Sequence, residues 1–341
     1  MRAAVYYNNN DIRIEEMPVP EIGPGEILVR IESSGICGSD VMEWYRIKKA
    51  PLVLGHEIVG SIEKVGADID RFIPGQRVSV AHHVPCEECR YCLEGKYSLC
   101  DTLRTTNFDP GGFAEFVRVP EINVEKGTFV IPDGLSSDAA AFIEPLACVV
   151  RGMHTARFRE GDDVLVLGSG ISGLLFIKLL RAKGAGRIVA TDIDPVRLDA
   201  ARRMGADEAI DAKEATPDKL KELNGGRLFD LAVTCAGVEP VVLQAIRSVD
   251  RGGTVLLFAP LAPGVEITMP FFDLWRDQLT IVSTYAGPPA DSREAMDLLA
   301  SGEIEVEDMI THRLPLDRTA EGFRLVAEGS DSIKVIIRPR E

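Results

Sequence analysis

The sequence has no uninterrupted apolar run of about 18 residues, the length needed to span a bilayer. Its most apolar stretch, VLVLGSGISGLLFIKLL, is interrupted by Gly, Ser and Lys178. The first residues, MRAAVYYNNNDIRIEE, contain no apolar signal region and no cleavage site. They read as a strand entering the fold directly, so the expected location is the cytoplasm. Basic residues are also short: 38 Lys and Arg against 53 Asp and Glu give a formal net charge of −15. Such a surface repels phosphate backbones and anionic headgroups, which argues against nucleic-acid and membrane partners. Internal repeats and low-complexity linkers are missing too. Seven cysteines is an odd number, which would strand one in a disulfide scheme, and a cytosolic chain keeps its thiols reduced.

What remains is an ordinary globular composition over 341 residues, long enough for two domains. Residues 1–151 hold short alternating runs such as EILVRIES, EIVGSIEKVG and QRVSVAHH, punctuated by GPGE, IPGQ, DPGG and IPDG. That texture predicts a β-rich domain. From 152 to 285, apolar strands alternate with helical patterns. The strands are expected at 163–168, 187–192, 208–211, 228–235, 252–259 and 279–285. This alternation predicts a doubly wound parallel sheet with helices on both faces. Residues 286–341 carry two helical patterns and a last strand, SIKVIIRP, expected to rejoin the first domain.

GSGISG sets Gly168, Gly170 and Gly173 in G-x-G-x-x-G spacing, with Ile171 and Ser172 inside the turn. A strand precedes it, an amphipathic helix follows, and Asp192 closes the next strand. The glycines permit a tight turn, close approach of a pyrophosphate and close helix–strand packing. The helix N-terminus offers unpaired N–H groups to phosphate. Asp192 can accept from both adenosine ribose hydroxyls and repels a 2′-phosphate, which favours NAD over NADP.

Cys86, Cys89, Cys92 and Cys100 follow C-x2-C-x2-C-x7-C spacing, which can wrap one tetrahedral ion. Four thiolates leave no open position, so this is expected to be a structural zinc site. A second set, Cys37, His56, Glu57 and Glu144, mixes thiolate, imidazole and carboxylate. That is the donor mixture of a catalytic zinc with room for substrate. His82 and His83 read as the end of a strand beside the filled cysteine lobe.

With C-G-S-D, G-H-E, the four-cysteine lobe, E-P-L, G-x-G-x-x-G and the tail I-K in this order, the chain resembles the zinc-containing medium-chain dehydrogenases/reductases of the alcohol, sorbitol and threonine dehydrogenase type. The likeness covers nearly the whole chain. It implies an α/β architecture, with a GroES-like catalytic domain split around a Rossmann domain, and a homodimer or homotetramer. It implies two zinc ions and NAD as cofactors, with an alcohol or ketone as the small-molecule substrate. Cys37 and His56 match catalytic zinc ligands, and Glu57 or Glu144 the third. Ser39 matches the hydroxyl that takes the alcohol proton, and Asp40 the acid that orients the ligand histidine. Arg197 matches a ribose contact and Lys334 a pyrophosphate contact. Met42 departs from the pattern: many relatives have a proton-passing histidine there, so the proton's exit must differ.

The function expected from all this is hydride transfer between a secondary alcohol or polyol and NAD. An amino-alcohol or sugar-phosphate dehydrogenase is the alternative within the family. A non-catalytic dinucleotide-binding regulator or a zinc-free quinone-reductase relative would lack a reason for the Cys37, His56 and Glu57 set.

Overall fold

The strand Val164–Leu167 reads VLVL, and all four residues are buried. A strand apolar on both faces needs cover on both, and parallel sheets supply it through their crossover helices. The computed structural model, which describes residues 1–329 and 331–341, places this strand centrally in a six-stranded parallel sheet. The order is Glu208–Asp211, Ile188–Asp192, Val164–Leu167, Phe229–Thr234, Val249–Leu257 and Thr280–Ser283. In chain order that is 3-2-1-4-5-6, the doubly wound arrangement. The helix Glu239–Ser248 buries Val242, Ala245 and Ile246 against Leu165, Leu167, Ala232 and Val255. Side-chain caps start the neighbouring helices. Asp194 accepts from Val196 N at 2.8 Å ahead of Pro195–Arg203, and Thr216 from Lys219 N at 3.2 Å ahead of Pro217–Leu223. Each cap satisfies an amide that the helix leaves unpaired.

One boundary differs from expectation. The strand expected to start at Gly252 begins at Val249, because Gly252 and Gly253 form an irregularity within it and not its edge. The pairing Phe229↔Val249 slips to Leu231↔Thr254 across them, and Gly252 takes a φ of 75°.

The chain forms two compact units, Met1–Ala147 with Ala286–Glu341, and Cys148–Tyr285. The division falls inside the helix Ile143–Ala156, about one turn before the expected change at 151/152. In the first unit, Ile27–Gly35 pairs antiparallel with Glu57–Val65, Phe116–Val119 and Lys334–Arg338. The last strand therefore does return to the first unit. A smaller sheet joins Asp11–Glu16, Arg2–Asn8 and Leu52–Val53. Among the described residues no helix is long and apolar enough to cross a membrane.

This strand pairing positions the site. Gly35 lies opposite both Glu57 and Ile336. A Cβ on Gly35 would stand 1.9 Å from Glu57 Oε2 and 2.7 Å from Lys334 Cε. Only glycine leaves room for Lys334 Nζ to donate to Glu57 Oε2 across it, and both side chains are 1% exposed. Removing one partner of a buried pair strands the other charge. Lys334→Met should therefore lower the unfolding free energy by roughly 3–5 kcal/mol, read from urea denaturation. Gly35→Ala should cost about 1–3 kcal/mol through overpacking. A loss of about 1 kcal/mol or less in Lys334→Met, the size of a surface pair, would show that Glu57 does not depend on it.

Candidate metal centres and dinucleotide site

The cysteine lobe is built from the short helix Arg90–Leu93 and a turn leading into Asp101–Thr105. Its sulfurs lie 3.9 Å apart for Cys86–Cys92, 3.5 Å for Cys89–Cys92 and 3.6 Å for Cys86–Cys100. A tetrahedron of sulfurs about 2.3 Å from zinc has edges of about 3.8 Å, so the four donors fit that ion. All seven cysteines are unbridged. Backbone amides of Cys86 and Cys89 point at Cys100 Sγ and Cys86 Sγ, at 3.4 and 3.3 Å, as they do around thiolates. Burial and the neighbouring Cys89 push the Cys92 thiol up to about 12, a cost that a cation among the sulfurs would reverse.

The mixed set also converges. Donor atoms of Cys37, His56 and Glu57 all lie within 4.8 Å of one another. Cys37 follows the end of Ile27–Gly35, and His56 directly precedes Glu57–Val65, so pairing of these two strands brings the donors together. Asp40 is fully buried. It accepts from Cys37 N at 3.1 Å and faces His56 Nδ1 at 3.3 Å and Arg46 Nη2 at 3.5 Å. Burial works against the Asp40 carboxylate, but His56, Arg46 and the Cys37 amide outweigh it and hold its pKa below the usual value. Burial likewise works against a charged His56, yet Asp40 and Cys37 raise its pKa well above the ordinary histidine value. With Nδ1 turned to Asp40, Nε2 is the atom left for a metal, the usual carboxylate–histidine–metal arrangement. The donors present fit zinc.

The two candidate carboxylates sit differently. Glu57 groups with Cys37 and His56, while Lys334 holds its Oε2. Glu144, in the first turn of Ile143–Ala156, groups with His56 and His82. His82 thus differs from its expected place beside the cysteine lobe. Its ring centroid lies 4.7 Å from that of His56, and its Nδ1 lies 3.9 Å from Glu144 Oε1. That Nδ1 is buried with no hydrogen-bond partner. Burial first, then His83 and His56, drive its pKa well below the ordinary value, so the ring is neutral. Burial lowers His83 to about 4, and its Nδ1 contacts Leu103 O at 2.8 Å. A signal for His82 existed: it keeps the two-residue parity of buried Val78 and Val80 in RVSVAHH.

Lys334 has a partner that the sequence does not reveal. Its ammonium lies inside the first unit, donating to Glu57 and to Ile36 O at 3.2 Å, with the Phe142 ring 5.6 Å away. At 1% exposure the ammonium lies within that pair.

The Gly-rich turn follows Val164–Leu167 at the carboxyl ends of the strands, where the sheet order reverses. Gly168 takes φ +98°, and a Cβ on Gly173 would stand 1.9 Å from Gly168 O. Gly170 precedes the helix Ile171–Ala182, whose first turn holds Ile171 and Ser172. A Cβ on Gly170 would meet only Arg197 Nη1, at 3.8 Å. That is open space beside a cation and a helix N-terminus, which fits a pyrophosphate. Asp192 ends its strand and is 7% exposed. It accepts from Ser169 N at 2.7 Å, Ile193 N at 2.8 Å and Asp194 N at 3.0 Å. A carboxylate has about four acceptor sites. One remains on Oδ2, which fits a ribose hydroxyl.

Comparison with known proteins agrees with this geometry. The alcohol dehydrogenase GroES-like domain matches residues 23–133, and the zinc-binding dehydrogenase domain matches 172–301. Sorbitol dehydrogenase of Bacillus subtilis is 32% identical, over 99% of this chain and 97% of the relative. L-threonine 3-dehydrogenase of Rhizobium etli is 33% identical, over 95% and 94%. A Sinorhizobium meliloti structure described as a zinc-binding dehydrogenase, bound to NADP, superimposes with a TM-score of 0.88 at 29% identity and covers 99% of both chains. With its GroES-like and Rossmann-type units and two zinc-type donor clusters, the chain belongs to the zinc-containing medium-chain dehydrogenase/reductase family.

Proposed function

We propose that the protein oxidises a secondary alcohol or polyol, and reduces the matching ketone, with NAD as partner. The observation that carries this reading is the convergence of Cys37, His56 and Glu57, with Asp40 fixing the histidine and Ser39 two residues from the thiolate. When bound, zinc supplies a Lewis acid that makes the alcohol more acidic, and NAD supplies the hydride acceptor. Cys37, His56 and a carboxylate would hold the catalytic ion. Glu57 is favoured by its grouping with Cys37, and Glu144 stands beside His56 as the other carboxylate. Cys86, Cys89, Cys92 and Cys100 would hold the structural one. Ser39 takes the alcohol proton. The likeness to sorbitol and L-threonine dehydrogenases supports a diol, polyol or amino alcohol over a monohydric alcohol.

Asp192, a carboxylate at the end of its strand with an acceptor site on Oδ2, supports NAD over NADP, although the S. meliloti relative was solved with NADP. Self-association is supported by an exposed apolar patch on Cys148–Tyr285. Phe271, Phe272 and Trp275 are 77%, 64% and 69% exposed and lie near the edge strand Thr280–Ser283. Seven unbridged thiols support a reducing compartment, the cytoplasm.

The direct assay is NADH formation from sorbitol, L-threonine, a simple secondary alcohol and a polyol phosphate. No turnover with any of them in zinc-replete protein would reject the reading. Metal analysis should give two zinc ions per chain. Cys37→Ser should keep the fold and abolish turnover, whereas Cys89→Ser should lower thermal stability and soluble yield; equal damage to both would mean the two sites are misassigned. NAD should show a much higher kcat/KM than NADP, and Asp192→Ala should narrow the gap. Gly170→Val should leave the melting temperature unchanged while eliminating NADH binding by titration, because its side chain fills only the phosphate space. Light scattering should report a dimer or tetramer; a monomer would remove the assembly proposal.

A further inference from the structure

Arg46 ends the four-residue helix Glu43–Arg46 that follows the C-G-S-D turn. Its side chain folds back onto that turn and is only 16% exposed. Nε donates to Ser39 O at 2.9 Å, and Nη2 donates to Ser39 Oγ at 2.9 Å. Nη2 also reaches Asp40 Oδ1 at 3.5 Å, and the guanidinium lies 4.6 Å from the Tyr45 ring centroid. One cation thus holds the hydroxyl that takes the substrate proton, the backbone beside it, and the acid that orients His56. Met42, three residues after Ser39, makes no contribution of this kind, since a thioether neither donates a hydrogen bond nor carries a proton.

The chemistry of the two groups decides what this contact does. A serine oxygen has one hydrogen and two lone pairs, and a guanidinium only donates and stays charged. Arg46 therefore occupies one lone pair. The other lone pair and the hydrogen must face away from it. An imidazole in that place could take the proton onward; a guanidinium cannot.

We propose that Arg46 is the positioning residue for Ser39, locking the hydroxyl in the orientation that receives the alcohol proton and closing the exit on its own side. The proposal rests on the alcohol-oxidation reading above. In that direction the alcohol O–H bond breaks as its proton joins the open lone pair of Ser39 Oγ. The proton already on Ser39 passes to water. Bound NAD would supply the acceptor for the hydride of the carbinol carbon, and Arg46 gains and loses nothing. Fixing the hydroxyl with a permanent cation means that this arm contributes no titrating group of its own.

The test is a double-mutant cycle on full-length zinc-loaded protein, using whichever of sorbitol, L-threonine or the secondary alcohol turns over fastest. Arg46→Met should lower kcat about 10- to 100-fold, the scale of one hydrogen bond to a charged group. KM for NAD and zinc content should stay at wild-type values, while the melting temperature falls because buried Asp40 loses one partner. The kcat loss should be the same factor at every pH where the wild type is active. Arg46→Lys, which keeps the charge but not the fork, should restore part of the rate and serves if Arg46→Met folds poorly. Ser39→Ala combined with Arg46→Met should be no slower than Ser39→Ala alone. Multiplying effects in the double variant would overturn the proposal, because Arg46 would then act independently of Ser39. Zinc loss that accounts for the lost rate would overturn it in favour of a structural role through Asp40. Unchanged kcat in Arg46→Met would overturn it alone, whereas a wild type with no turnover on any alcohol would overturn the underlying reading and this proposal together.

Discussion

A buried ammonium–carboxylate pair joins residues 277 positions apart, Glu57 at the start of one strand and Lys334 at the start of the last. Two charges this deep are costly unless they meet, and they meet only because Gly35 has no side chain between them. The pair fixes the register of the final strand against the first unit. It also sets the orientation of Glu57, whose other neighbours are Cys37 and His56. A carboxylate held on one side by a cation has its charge already partly answered. It is a weaker ligand than an isolated one and a more precisely placed one.

Asp40 plays the corresponding part for the histidine. With the backbone of Cys37, His56 and Arg46 all directed at one buried carboxylate, the turn that carries Cys37 and Ser39 is tied to the imidazole from the neighbouring strand. Function here depends on spacing within that turn. Cys37, Ser39 and Asp40 lie within four consecutive residues, so a single local conformation places the proposed ligand, proton acceptor and orienting acid together. The remaining donors arrive by strand pairing and by the first turn of one helix.

This difference explains what could be read from the residues alone. The cysteine lobe and the Gly-rich turn are local, and their spacing already implied a tetrahedral site and a phosphate-binding turn. The parallel sheet was legible because each strand is a short apolar run between helical patterns. The partner of Lys334 could not be read, because it depends on the pairing of the last strand, which no local pattern encodes. His82 was missed for a related reason: its neighbour His56 comes from another strand, although its parity with Val78 and Val80 pointed inward. The bonds that Asp192 takes from the Ser169, Ile193 and Asp194 amides appear only once the turn is folded. Arg46 carried no signal, being one cation among many until its helix turned it back on Ser39.

The central claim is that this chain moves hydride from a carbinol carbon to a nicotinamide. Incubating zinc-loaded protein with NAD and an alcohol deuterated at that carbon, then weighing the reduced cofactor by mass spectrometry, tests it most directly. The account predicts one deuterium in each reduced nicotinamide. Reduced cofactor carrying only protium, or no reduced cofactor from any deuterated alcohol in protein holding both metals, would contradict it.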